Sequence, residues 1–140
     1  MQWRQEAEHF WVKLDRGEEV MASLEQFFME SGIQSGSLMA IGALEETELG
    51  FFDCRSSQYL RKVFPEEMEL VSFLGNITQL DGKTFCHAHA ILSGRDFIAL
   101  AGHFFSGTVA ITLECQVFPA GSVISRKLDD YTGLNLIQLS

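Results

Sequence analysis

Polar and apolar side chains alternate from His9 to Asp15 as His-Phe-Trp-Val-Lys-Leu-Asp, the two-residue repeat of a half-buried strand. Arg16-Gly17 then turns the chain, and the period changes. Between Glu18 and Ser31 the apolar residues Val20, Leu24, Phe27 and Phe28 recur at helical spacing, which predicts an amphipathic helix with those four as its buried stripe. Glu18 and Glu19 suit the positive start of that helix, and Gly32 is a natural left-handed stop.

Beyond Ser35 the pattern is β throughout. Ser37–Ile41 is a strand of small residues continued by Gly42-Ala43. Glu48–Asp53 and Tyr59–Phe64 flank the polar loop Cys54–Gln58. Met68–Ile77 leads to Asp81-Gly82, a tight-turn dipeptide. Three longer strands follow at Phe85–Leu92, Phe97–Phe105 and Val109–Phe118, and the tail holds two short ones at Ser125–Leu128 and Leu134–Leu139. No repeat or linker interrupts this order. The expectation is one domain over residues 1–140, of the α/β (α+β) class, with a largely antiparallel sheet and one main helix.

Composition agrees with a single packed core, since 46% of the 140 residues are hydrophobic and 12 are Phe. Charge narrows the function classes. At a formal −9 the surface repels phosphate backbones, and the basic residues Arg55, Arg61, Lys62, Arg126 and Lys127 are scattered, so direct DNA binding is disfavoured. Cys54, Cys86 and Cys115 lack C-x-x-C spacing and sit in or beside apolar runs, which reads as buried reduced thiols. No apolar stretch reaches the roughly 20 residues of a membrane span, and the charged N-terminal residues do not resemble a signal peptide. The expected compartment is the cytoplasm.

The chemistry lies in the histidines. Three of the four fall in Cys86-His87-Ala88-His89 and Gly102-His103. His87 and His89 are two apart on one strand and so share a face. If Gly94-Arg95-Asp96 is a three-residue hairpin loop, Ser93 pairs with Phe97 and His87 stands opposite His103, with all three imidazoles together. A four-residue loop would turn His103 to the other face, and hydrophobicity does not choose between the two registers. Reading Ser106-Gly107 as a two-residue turn puts His103 opposite Ala110. Thr112, Glu114 and Gln116 then join the histidine face, while Val109, Ile111, Leu113, Cys115 and Val117 face the core.

Three neutral imidazoles are ligands for Zn²⁺ or another divalent ion and leave a fourth position open. Water is acidified at such a position, with Glu114 a candidate general base. The competing reading is of surface or interface histidines bonded to carbonyls. Elsewhere, Gly42 reads as close strand packing, Glu66, Glu67 and Glu69 as a solvated loop face, and Trp3 and Trp11 as packing or interface residues.

The order of motifs resembles the plant-and-prokaryote-conserved (PPC) domain. The stretches concerned are Leu14-Asp-Arg-Gly-Glu-Glu-Val20, Ile41-Gly-Ala-Leu44, Leu49-Gly-Phe-Phe-Asp53, Glu69-Leu-Val-Ser-Phe-Leu-Gly-Asn-Ile77, His87-Ala-His89 and Gly102-His103 followed by Gly107. They span about residues 9–118. The resemblance implies a twisted, largely antiparallel sheet, a homotrimer, and a metal, commonly zinc, on His87, His89 and His103. Prokaryotic members are often provisionally labelled DNA-binding after plant relatives in which the domain follows a basic AT-hook, and no Arg-Gly-Arg-Pro core occurs here. The expected function is a metal-holding binding, assembly or regulatory module with a small-molecule ligand. The alternative is a metal-dependent hydrolase or lyase.

Overall fold

A computed structural model of the chain describes residues 1–139. In chain order its elements are β1 (Gln2–Glu6), β2 (His9–Asp15), α1 (Val20–Ser31), β3 (Gly36–Asp53), β4 (Gln58–Phe64), β5 (Met68–Leu80), β6 (Lys83–Ser93), β7 (Ala99–Pro119), β8 (Ser125–Leu128) and β9 (Asn135–Gln138). One sheet runs in the order β1-β2-β7-β3-β5-β8-β9, with β4 beside β3 and β6 joined to both β5 and β7. Every pairing is antiparallel except the brief parallel contact of β8 with β5 at Gln79 and Ser125. Strands β7, β3, β5 and β6 pair in a cycle, so this part of the sheet closes on itself.

Closure depends on two long, bent strands where the sequence suggests four short ones. The predicted strands Ser37–Ile41 and Glu48–Asp53 are both parts of β3, and Val109–Phe118 and all of Phe97–Phe105 but its first two residues, which lie in the connection from β6, are parts of β7. Register shifts between β3 and β7 at Gly42/Leu44, Glu45/Glu48 and Glu48/Leu49 supply the bends, as bulges do. Ser106-Gly107 is therefore no turn. Gly107 is buried within the strand, and its amide donates to Glu19 Oε1 at 3.3 Å. At Gly42 a Cβ would run into the Thr112 carbonyl, so the close strand packing read from the sequence is present there.

Packing follows the alternation wherever bulges do not interrupt it. Phe10, Val12 and Leu14 of β2 and Leu113, Cys115 and Val117 of β7 are buried, and the helical stripe Val20, Leu24, Phe27 and Phe28 belongs to the same core. Each such large side chain contributes about 1.5–3 kcal/mol by leaving water. Helix α1 begins two residues later than the spacing predicts because Glu19 acts as its cap, accepting from the Ala22 amide at 2.7 Å. It ends at Gly32, whose φ of 71° is left-handed.

Two expectations about individual residues are corrected. Ile111 is not in the core. Between the pairs Gly42–Leu113 and Leu44–Val109, β3 advances two residues while β7 advances four, and the surplus turns Ile111 outward. Cys54 is exposed in the turn after β3, whereas Cys86 and Cys115 are buried as expected. Burial pushes those two thiols up to about 12.

The outer side of the sheet keeps an apolar surface. Trp11, Met39, Ile41, Val71, Leu74 and Ile111 come from four strands and are each between 43% and 59% exposed. Trp11 pairs with Gln116, Gln116 with Met39, and Met39 with Leu74, forming one row across β2, β7, β3 and β5. Trp3, by contrast, packs on Phe10 and Phe27 and donates its indole N–H to Glu30.

Candidate metal centre

On β6 the alternation buries Cys86, Ala88, Ala90 and Leu92 and turns Phe85, His87, His89 and Ile91 outward. The neighbouring end of β7 buries Phe104 and turns His103 and Phe105 outward. The connection between the strands is longer than a three-residue loop. Ser93 pairs with Ala99 rather than Phe97, and His103 stands opposite His89 rather than His87. Because the displacement is two residues, facing is preserved, and the three imidazoles do come together.

One ring nitrogen of each histidine lies within 4.8 Å of the others. His87 Nε2 and His103 Nδ1 are 3.2 Å apart. Two Zn–N bonds of ~2.0–2.1 Å at a tetrahedral angle would hold their nitrogens about 3.4 Å apart, so this donor set fits a small divalent ion. Electrostatics favour the same state. Burial lowers the pKa of His87, with Arg126 and His89 adding to the effect. Burial likewise takes His103 down to about 4, helped by His87, His89 and Arg61. Neutral imidazoles are the form that ligates a metal.

Aromatic residues pack the remaining sides of His103. Its ring centroid is 5.0 Å from that of Tyr59 and 4.7 Å from that of Phe105. Tyr59 arrives on β4, and Gly50 makes room, because a Cβ there would press on Phe105 and Tyr59. The Arg61 guanidinium lies 3.8 Å from the centre of the Phe105 ring and binds Glu48 through two hydrogen bonds of 2.8 and 2.6 Å. A cavity of about 370 Å³ opens beside His87 and His103, walled by Tyr59, Phe85, Phe105, Arg126 and the β8–β9 hairpin. In the other direction His89 pairs with Leu74, so the cluster borders the apolar outer face.

Glu114 does not join the histidines. With no turn at Ser106-Gly107, it lies eleven residues further along β7, roughly 35 Å of strand path at ~3.3 Å per residue. There it pairs with Lys13 and Ile41 and borders the apolar face. Thr112 is likewise displaced, opposite Asp15. The fourth histidine, His9, stacks on Phe118. Tyr59, Arg61, Phe105 and Arg126 surround the cluster without having been assigned to it from sequence. Tyr59 and Arg126 reach it through pairings of β4 with β3 and of β8 with β5, which leave no local signal.

The model of the Plants and Prokaryotes Conserved (PCC) domain matches residues 1–120. Among solved structures, a provisionally labelled DNA-binding protein from Bacteroides thetaiotaomicron is 31% identical with a TM-score of 0.95, the match covering 98% of this chain and 96% of that one. A metal-containing protein from Archaeoglobus fulgidus is 36% identical over 91% of each chain, TM-score 0.86. A plant- and prokaryote-conserved protein from Pyrococcus horikoshii is 26% identical, covering 94% of this chain and 92% of that one, TM-score 0.86. No curated protein sequence matches.

Proposed function

The chain belongs to the Plants and Prokaryotes Conserved domain family, and from that premise we propose that it is a homotrimeric binding and assembly module holding one divalent metal ion, zinc by preference, on His87, His89 and His103. The observation that carries this reading is the spacing of the three ring nitrogens, above all the 3.2 Å between His87 and His103. The Archaeoglobus fulgidus relative is described as metal-containing, which agrees with it. Bound there, the metal would act as a Lewis acid toward a ligand atom at its open position. The chain's own part is to keep the His87 and His103 imidazoles neutral by burial and to wall the site with Tyr59 and Phe105.

Self-association is supported by the apolar outer face, since a monomer rarely leaves a contiguous patch of this kind in water. Three free cysteines suit a reducing compartment, in keeping with the cytoplasm, and no described helix is long and apolar enough to cross a membrane. Some relatives are provisionally labelled DNA-binding. For this chain the −9 charge argues against a direct contact with DNA.

A metal-dependent hydrolase or lyase is the second reading, favoured by the cavity that opens beside two of the three histidines. With Glu114 elsewhere and no carboxylate among the described residues that line that cavity, binding is better supported than turnover. Elemental mass spectrometry of protein purified without added metal provides the test. Near-stoichiometric zinc that disappears in His87→Ala plus His89→Ala is expected. Metal retained by the double variant, or absent from the wild type after zinc is offered, refutes the site.

A further inference from the structure

We propose that the cavity beside His87 and His103 is a site for a small organic anion, with Arg126 taking the acid group and apolar side chains taking the body. Arg126 lies on β8, and its guanidinium is held in place by neutral acceptors. Nε donates to Thr78 Oγ1, one terminal nitrogen to the Asn135 carbonyl and the other to Asn76 Oδ1, each at 2.8 Å. The same group lies over the Phe85 ring at 5.1 Å.

Among the described residues no carboxylate lies within 4.0 Å of it. Two of its five N–H groups have no partner among the described residues. A partly buried cation fixed in geometry but lacking a counter-ion is complementary to an anion from outside.

The surroundings point the same way. The chain has 19 acidic residues against 10 Lys and Arg, yet none of the acidic residues lines this cavity. Its walls are Phe85, Phe105, Leu134 and Leu136, with the polar groups Tyr59 and Asn135 between them. At about 370 Å³ the space is at the lower end of ligand sites, the scale of one ring or a branched chain bearing an acid group. His87 faces Asn76 across β5 and β6, and Asn76 holds Arg126. A bound ligand therefore meets the guanidinium on one side and the histidine centre on the other. The histidine half of this recognition rests on the metal reading above, whereas the Arg126 half does not.

The test is isothermal titration of benzoate and phenyl phosphate, with benzyl alcohol as the uncharged control, into zinc-loaded and chelator-treated protein. Both anions are expected to bind and the alcohol not. The tighter of the two identifies the acid group as carboxylate or phosphate monoester. Arg126→Gln is expected to weaken binding about ten- to hundred-fold, the loss of one charge-assisted hydrogen-bonded contact, with zinc content unchanged. Because Arg126 also anchors the β8–β9 hairpin, Leu136→Trp provides a second variant. It fills the space while leaving the Arg126 hydrogen bonds alone, and is also expected to weaken binding.

Anion binding that is unchanged in both variants, or no binding to either form of the wild type at millimolar concentration, overturns the proposal. A wild type that takes up no zinc but binds benzoate, and loses it in Arg126→Gln, would refute the metal reading and leave this one standing.

Discussion

The two halves of β7 carry similar alternations of small, aliphatic and aromatic residues, yet they do different work. From Val109 onward the strand lies between β2 and β3, buries Leu113, Cys115 and Val117 in the core, and shows Ile111 and Glu114 on the outer face. Before Ser106 the same strand pairs with β6, buries Phe104, and shows His103 and Phe105 to the histidine cluster. The large inward side chains Val109, Leu113, Cys115 and Val117 are odd-numbered, whereas the inward Phe104 of the first half is even-numbered. The phase switches where Glu48 pairs with Ser106 and Leu49 with Phe104, so that β3 moves one residue while β7 moves two. One unpaired residue thus decides which side chains a strand buries.

Four substitutions or conditions sharpen this contrast. The largest stability effect is expected under the histidine half, where Phe73 is fully buried and packs edge-on against Phe104 with ring centroids 4.9 Å apart. Phe73→Ala should lower unfolding free energy by about 3–5 kcal/mol, read from chemical denaturation, and a loss below about 1 kcal/mol would mean that Phe104 does not depend on that neighbour. The outer face should behave in the opposite way. Ile41→Lys with Ile111→Lys is expected to leave each subunit folded and to take the sedimenting species from trimer to monomer. A wild type that sediments as a stable monomer would remove the need for an interface there.

A smaller effect is expected from pH in metal-free protein. Unfolded imidazoles take up protons near the ordinary value of 6.5, but burial holds His103 at about 4 and also lowers His87. Between those limits the unfolded state binds more protons, so stability should fall as pH drops through 6.5 and keep falling towards about 4. Denaturation midpoints across that range test this, and His103→Gln should flatten the slope. The smallest effect belongs to Glu114→Gln, which should leave zinc content unchanged. Loss of metal in that variant would place the carboxylate closer to the histidines than β7 allows.

Much of this was legible in the chain. The helix could be read because its period, its acidic start at Glu18 and Glu19 and its Gly32 stop all lie close together in the chain, although the cap that sets its first residue could not. Strand β2 and the inward residues of β6 could be read because alternation is a property of one strand alone. That His87 and His89 share a face follows from their spacing without reference to any partner.

Only the tertiary structure could bring His103 to them, remove the turn at Ser106-Gly107, send Ile111 outward and leave Glu114 far from the cluster. Each of those outcomes depends on how many residues one strand advances while its neighbour advances another number. That count belongs to a pair of strands, and no single segment encodes it. Arg126 is the clearest case. In sequence it is one scattered basic residue, and it becomes the cation of a cavity lined by no Asp or Glu only because β8 returns to lie beside β5.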